Sequence, residues 1–249
     1  AMISAQLLEV DPDTGEKLDT IGFASTLEQN IRAKYQSDSI SVHIIGFAKM
    51  VGDVAEGAKG VLLFFAIAIA VTSVMVFFFC RSLMLTVLPI ACSLIAVIWQ
   101  MGLLSVMGFG IDPMSILVPF LVFAIGVSHG VQMINSTGKR VAAGMDAKTA
   151  AQASFRKLLV PGGVALLSDT VGFLTLLIIE IGVIRELAIT ASLGVAVIIL
   201  TNLVLLPILM SYVKFSKGYQ ARAAAPSPTS DKIWFALSAF ATRKYAAVI

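Results

Sequence analysis

Two short polar groups of residues interrupt otherwise long apolar runs in this chain. The first is Ser128-His129, and the second is Ser168-Asp169-Thr170. An imidazole or a carboxyl group is costly to place at the depth of a bilayer, and such residues usually mark an ion or substrate path. Because histidine titrates near neutral pH, it loads and releases protons readily. We therefore predict a proton relay made by His129 and Asp169.

Static alternatives to the relay stay open at this point. In these alternatives, a neutral His129 joins two helices by a hydrogen bond, and Asp169 makes a static bond to a Ser or Thr of a neighbouring helix. The two side chains are expected to differ in depth by at most about five residues, or about 8 Å at the helical rise. Three hydroxyl residues are predicted to support the site by binding water or the proton carriers: Ser128, Ser168 and Thr170.

Other kinds of chemistry find no matching pattern. The chain has two His and two Cys, and they are scattered, so we predict no metal site, no cofactor and no enzyme activity. Cys80 and Cys92 are expected to be small apolar fillers without a disulfide. Four amides are weaker site candidates, because amides often only join helices: Gln100, Gln132, Asn135 and Asn202. The net charge of +3 comes from basic residues near apolar runs, so no nucleic-acid partner is expected.

The elements that must position these residues are transmembrane helices. The chain is 58% hydrophobic and only 13% charged, against about 25% charged in soluble domains. Stretches of about 20 apolar residues are long enough to cross a hydrocarbon core of about 30 Å. We predict a membrane all-α bundle of five spans plus the start of a sixth. The five spans are Val61–Cys80, Met84–Leu104, Met114–Asn135, Leu159–Ile179 and Leu187–Val213.

Loop charges predict the orientation of these spans. Basic residues follow the first span, separate the third from the fourth and follow the fifth, so these three positions are expected in the cytoplasm. Residues 136–158 and 214–244 are then cytoplasmic, and residues 1–57 are periplasmic. Within the first cytoplasmic segment, Asp146 is predicted to cap a helix through Leu158 that lies along the membrane surface.

Four units follow along the chain. Residues 1–57 are predicted to be a small α+β segment, the tail of a larger periplasmic porter-like domain. Its strands are Ile3–Val10 and Ile40–Phe47 around a helix Thr26–Tyr35, and Ala48–Lys59 leads helically into the first span. The transmembrane bundle occupies 58–213, and a cytoplasmic linker occupies 214–230. An interfacial helix and the start of the next span occupy 231–249. Both ends are abrupt, so we expect a piece of a longer polypeptide.

Small residues spaced by four predict close helix packing within the bundle. Gly126 with Gly130, and Ser168 with Gly172, are such pairs. They let backbones approach where lipid offers no hydrophobic drive for association. Gly126, Gly130 and Gly172 are thus the predicted packing glycines.

The chain also resembles a known family in its motifs. Ile44-Ile-Gly-Phe47 before the first span, Ala124-Ile-Gly-Val-Ser-His129, and Ala150–Pro161 leading to Leu167-Ser-Asp-Thr-Val-Gly-Phe-Leu174 resemble the first half of an RND-superfamily transporter. The similarity is greatest to the MMPL-type and hopanoid-exporter-like branch, whose bundles also resemble sterol-sensing domains. The resemblance implies a preceding span, a periplasmic domain and a second repeat. It departs from many members at Ser128 and His129, where they carry coupling aspartates.

This resemblance implies a function and its partners. The expectation is a secondary transporter of the bacterial inner membrane that uses protons to export hydrophobic or lipid-like molecules. Its partners would be the lipid or hydrophobic substrate, the membrane, the second repeat of the same polypeptide and, in some arrangements, further copies. Two alternatives remain: a sterol-sensing-like lipid-binding regulatory module, and an auxiliary component of protein export.

Overall fold

Five helices of the computed structural model are long and apolar enough to cross a membrane, by length and composition. The structure describes residues 2–8, 10, 15, 18–110, 115–224, 235 and 238. Each helix contains most or all of one predicted span, which confirms the five spans of the bundle. Their bounds are Phe47–Cys80, Leu83–Val106, Ser115–Ala142, Ala147–Ile178 and Gly182–Met210.

Several of these helices contain short segments of different pitch. The described elements, in chain order, are α1 (Thr20–Leu27), a π-helical turn (Glu28–Arg32), α2 (Ala33–Tyr35), α3 (Phe47–Cys80), α4 (Leu83–Val106), a 3-10 turn (Ser115–Leu117), α5 (Val118–Ala142), α6 (Ala147–Thr175), a 3-10 turn (Leu176–Ile178), α7 (Gly182–Ile198), a π-helical run (Ile199–Leu205), α8 (Leu206–Met210) and α9 (Lys217–Ala224). Short connections make successive long helices antiparallel neighbours.

The centre of the bundle is formed by α4, α5 and α7. Half of the apolar window of α4 and 56% of that of α7 lie inside the protein, against 6% for α3 and 11% for α6. The side chains that fill this centre are large and fully buried; they include Leu85, Val122, Met133, Ile134, Leu166, Ile198 and Leu206. The helices α3 and α6 therefore lie at the periphery of the described bundle.

Glycines on α5 and α7 allow this close packing. A Cβ atom at Gly126 would lie 2.6 Å from the Oγ of Ser93, and one at Gly130 would lie 2.6 Å from the Cβ of Pro89. The two glycines thus place the backbone of α5 directly against α4. Gly172, by contrast, has no heavy atom of another residue within 4 Å of its Cβ position. The described residues give Gly172 no packing partner.

The N-terminal segment differs from its prediction. No strand is formed among the described residues of this region, where Ser37 and Ile40 form an isolated β-bridge. The residues 41–45 of the predicted second strand are not in regular structure, since a strand needs a neighbour to pair with. The helix begins at Thr20 rather than Thr26, because the side chain of Asp19 accepts the backbone N–H of Gly22. The predicted helical lead-in is confirmed: α3 starts at Phe47 without a break.

The fourth long helix also corrects a prediction. As expected, Asp146 caps α6, its carboxylate accepting the backbone N–H of Thr149 at 3.0 Å. The helix then continues unbroken through Pro161 to Thr175, so no separate surface helix ends at Leu158. Pro161 removes one backbone hydrogen bond from the helix. Membrane helices tolerate this loss because neighbouring groups satisfy the freed carbonyl.

Beyond the bundle, α9 lies within the segment predicted as a linker. It packs against α5, where the Tyr219 ring fills the space that a side chain at Gly138 would need. The predicted interfacial helix and sixth span, residues 231–249, lie outside the described residues except for Phe235 and Ser238.

Adding a methyl group at the α4–α5 contact should destabilise the bundle. We expect Gly130→Ala to lower the free energy of unfolding by about 1–3 kcal/mol, because the new Cβ overpacks against Pro89. Gly172→Ala is the matched control on an open face and should be neutral or gain up to about 1 kcal/mol from helix propensity. Thermal or denaturant unfolding of the full-length protein in detergent measures both. Equal losses in the two variants would contradict the packing argument.

Removing the cap of α6 should weaken the helix start in a pH-dependent way. Hydrogen bonds from the side chain and the backbone N–H of Thr149 hold the pKa of Asp146 below its usual value. Its charged form is therefore stabilised by folding, a contribution present above the unfolded carboxyl pKa of about 3.9 and lost as the pH falls below it. We expect Asp146→Ala to lower Tm at neutral pH and the difference from wild type to shrink in acid. Asp146→Ser keeps a capping oxygen and should lose less at neutral pH.

Candidate functional site

His129 lies half-buried on α5 and faces α6. Its Nδ1 is 3.0 Å from the carbonyl oxygen of Ile125, one turn earlier in the same helix. Because a carbonyl oxygen only accepts, Nδ1 donates, and in the neutral ring Nε2 is left as an acceptor. The ring lies beside Gly162, with its Cδ2 3.8 Å from the glycine's Cβ position. This hydrogen bond is made within one helix, so it does not join two.

Asp169 is exposed on α6. It follows Gly162 by seven residues, or two helical turns, so the two residues share a face of α6 and lie about 10 Å apart along the axis. His129 is level with Gly162 and not with Asp169. Among the described residues, no hydrogen bond or ion pair involves the Asp169 carboxylate. The structure therefore does not bring His129 and Asp169 into contact, and the relay stays a prediction.

The predicted supporting hydroxyls divide into two kinds. Thr170 takes part in helix packing: its Oγ1 donates to the carbonyl of Leu166 at 2.8 Å, and its carbonyl accepts from Ser192 of α7 at 3.2 Å. Ser128 and Ser168 are exposed on the bundle surface. Only these two hydroxyls are thus open to water or to another protein surface.

Further polar side chains continue the surface from Ser128 along α5. Gln132 and Asn135 are also exposed, and their spacing of four and three residues places all three on one helix face. We call Ser128, Gln132 and Asn135, together with Ser168 and Asp169 of α6, the polar surface. Amides, hydroxyls and a carboxylate at membrane depth are unfavourable against lipid tails. The polar surface therefore needs protein or water against it.

The interior of the bundle contains two amides that the sequence ranked as weaker candidates. Gln100 and Asn202 are both 0% exposed. Gln100 Nε2 donates to the carbonyl of Thr190 at 3.3 Å, and Asn202 Nδ2 donates to Thr201 Oγ1 at 3.1 Å. The side-chain oxygens of both amides are buried without a partner among the described residues. Such atoms are rare in proteins, because each costs about 1–3 kcal/mol.

Asn202 occupies a distinctive place among the central helices. It lies in the π-helical run, with its amide against Gly126 and Gly130 of α5. Single π turns inside α-helices occur frequently at functional sites. The sequence signal for an inward Asn202 was present: apart from Thr201, its neighbours from Val195 to Leu206 are apolar, so a lipid-facing amide was the least favourable orientation.

Two cavities open toward the end of the bundle that the charge pattern places outside the cytoplasm. A groove of about 690 Å³ runs between the residues 44–47, the first turns of α3, and Ile116 and Leu117. A neighbouring cavity of about 290 Å³ shares Ala58, Val61 and Ile116 with it. Its other walls are mainly apolar and include Phe65, Met101, Leu104 and Phe120. Neither cavity is lined by His129 or Asp169.

Comparison with known proteins identifies the family. No curated protein and no solved structure gives a significant match to this chain. The family description "MMPL family" matches residues 7–247, a range that takes in every helix described above. Its members are membrane transporters of lipid-like substrates. The match confirms the resemblance read from the motifs: this chain belongs to the MMPL family.

Proposed function

We propose that the protein is a proton-driven secondary transporter that exports hydrophobic or lipid-like molecules across a bacterial inner membrane. Family membership supports lipid-like cargo, and the five long apolar helices support a multi-pass protein. Basic connections on one side of the bundle support the assignment of residues 136–158 and 214–244 to the cytoplasm and of 1–57 to the periplasm. Proton coupling depends on the polar surface.

The observation that carries the proposal is the position of Asp169. It is exposed on α6, a helix with only 11% of its apolar window inside the bundle. A carboxylate placed in hydrocarbon would cost several kcal/mol, so a working protein keeps such a group against protein or water. We infer that the second repeat of the same polypeptide covers the polar surface and encloses water there.

A proton path along this covered surface fits the geometry of α5 and α6. The free Nε2 of His129 accepts a proton, and the Asp169 carboxylate accepts one about two turns farther along the same side. The hydroxyls of Ser128 and Ser168 both donate and accept, so water and these hydroxyls bridge the gap of about 10 Å. Ser128 and His129 stand where many members of the family carry aspartates in the third span, and we propose that His129 takes their role together with Asp169 of α6.

The proposal is tested by neutralising each titratable group in the full-length protein. We expect Asp169→Asn and His129→Ala to lower lipid efflux driven by a pH gradient at least tenfold in proteoliposomes, because neither residue then carries the coupling proton. Glu180→Gln is the matched control: an exposed carboxylate outside the spans is changed to an amide. Proton flux, measured with a pH-sensitive dye, should fall with efflux. Survival of gradient-dependent efflux in both variants would refute proton coupling through this half.

A lipid-binding regulatory module is the second candidate, and one observation favours it. The cavity of about 290 Å³ between α3, α4 and α5 has mainly apolar walls, as do most sites for small hydrophobic ligands. A sensor needs such a site but no transport. Saturable lipid binding by the wild-type protein, with no efflux under any gradient, would favour the sensor over the transporter.

A further inference from the structure

The short helix α1 is joined to α3 by a close contact of small residues. Ala24 of α1 is only 3% exposed. It lies directly against Gly52 of α3, so that a Cβ atom at Gly52 would overlap the methyl group of Ala24. The two helix backbones therefore approach as closely as they do at small-residue helix crossings.

Charged side chains surround this contact. The Nζ of Lys49 forms ion pairs with Glu28, just after α1, and with Asp53, one turn along α3. Arg32 reaches the same Glu28 carboxylate, with its Nε at 2.9 Å. Lys49 is only 9% exposed, and a lysine is rarely so buried unless it is paired. Hydrogen bonds to Asp53 and Glu28 raise the pKa of Lys49, which favours its charged form in these ion pairs.

We define the joint as Ala24, Glu28, Lys49, Gly52 and Asp53. Its α3 members precede the apolar part of the helix, which starts near Val61. Yet they belong to the same uninterrupted helix of 34 residues, about 51 Å long at the helical rise. A rotation or tilt of the membrane part of α3 therefore moves the joint as one body.

The membrane part of α3 has few packed neighbours among the described residues. Only 6% of its apolar window lies inside the described bundle. Its main anchors are Phe65, whose ring meets those of Phe120 and Phe123 at 4.9 and 5.6 Å between centroids, and Val76 and Cys80 at its inner end. A helix with so few packed neighbours changes its tilt at a lower cost than the central helices.

We propose that the joint couples the membrane bundle to the extracytoplasmic segment, with Lys49 as the positioning residue that holds α1 to α3. The inference rests on the proposed transport function. When α3 tilts, α1 moves with it, and so does the groove of about 690 Å³, since Lys49 and Asp53 form part of its wall opposite Ile116. Movement in the membrane thereby changes the shape of the extracytoplasmic segment.

The first test separates coupling from folding. In the full-length protein, we expect Lys49→Met to lower the maximal rate of lipid efflux at least fivefold, with lipid binding and Tm unchanged. Lys49→Arg keeps the charge and should restore most of the rate. Lys59→Met is the matched control, since it makes the same change at an exposed lysine of α3. Glu28→Gln should act through the same unit, so the double variant Glu28→Gln with Lys49→Met should be no slower than Lys49→Met alone.

A second measurement keeps the joint testable apart from transport. Hydrogen exchange of the full-length protein should show the amides of residues 20–35 exchanging at least tenfold faster in Lys49→Met, with α5 and α7 unchanged. An unchanged exchange rate would overturn the joint. So would wild-type efflux in Lys49→Met, or a fall in efflux that only follows a loss of Tm. Absence of efflux in the wild type would instead refute the proposed function and leave the joint to be judged by exchange.

Discussion

An unpaired polar group is costly in the hydrocarbon core, and this constraint governs the whole structure. Backbone groups meet it by forming long helices, and the central helices meet it by excluding lipid from their shared interface. That interface requires close backbones, which Gly126 and Gly130 provide by leaving room for Ser93 and Pro89. The polar surface lies on the faces of α5 and α6 that remain outside this central contact.

Two classes of polar side chain result from the same constraint. Gln100 and Asn202 are enclosed among the central helices, where Gln100 joins α4 to α7 by its hydrogen bond to the carbonyl of Thr190 and Asn202 bonds its chain neighbour Thr201. Ser128 and Asp169, by contrast, are exposed on the outer surface of the described bundle. The first class is compatible with a fixed scaffold. Side chains of the second class need water or another protein surface against them, and in the proposed function the second repeat supplies that surface.

Hydropathy was sufficient to predict the five spans, because membrane thickness fixes the length of an apolar run. It was insufficient for the N-terminal strands, since strand pairing depends on partners distant in sequence. It also missed the continuity of α6 through Pro161.

The depth of His129 relative to Asp169 followed from the packing of α5 on α6, which no single-chain pattern encodes. Likewise Gly130 and Gly172 belong to the same kind of motif, and only the helix face distinguishes the packed glycine from the open one.

The π-helical run Ile199–Leu205 determines which face α8 turns toward the core. Such a run holds an extra residue relative to regular α geometry, so its conversion to α-helix would turn everything after it by about 100°. Leu206 and Met210, both fully enclosed at present, would then swing out of the core. Burial of Leu206 and Met210 therefore stabilises the π-helical run, and with it the position of Asn202.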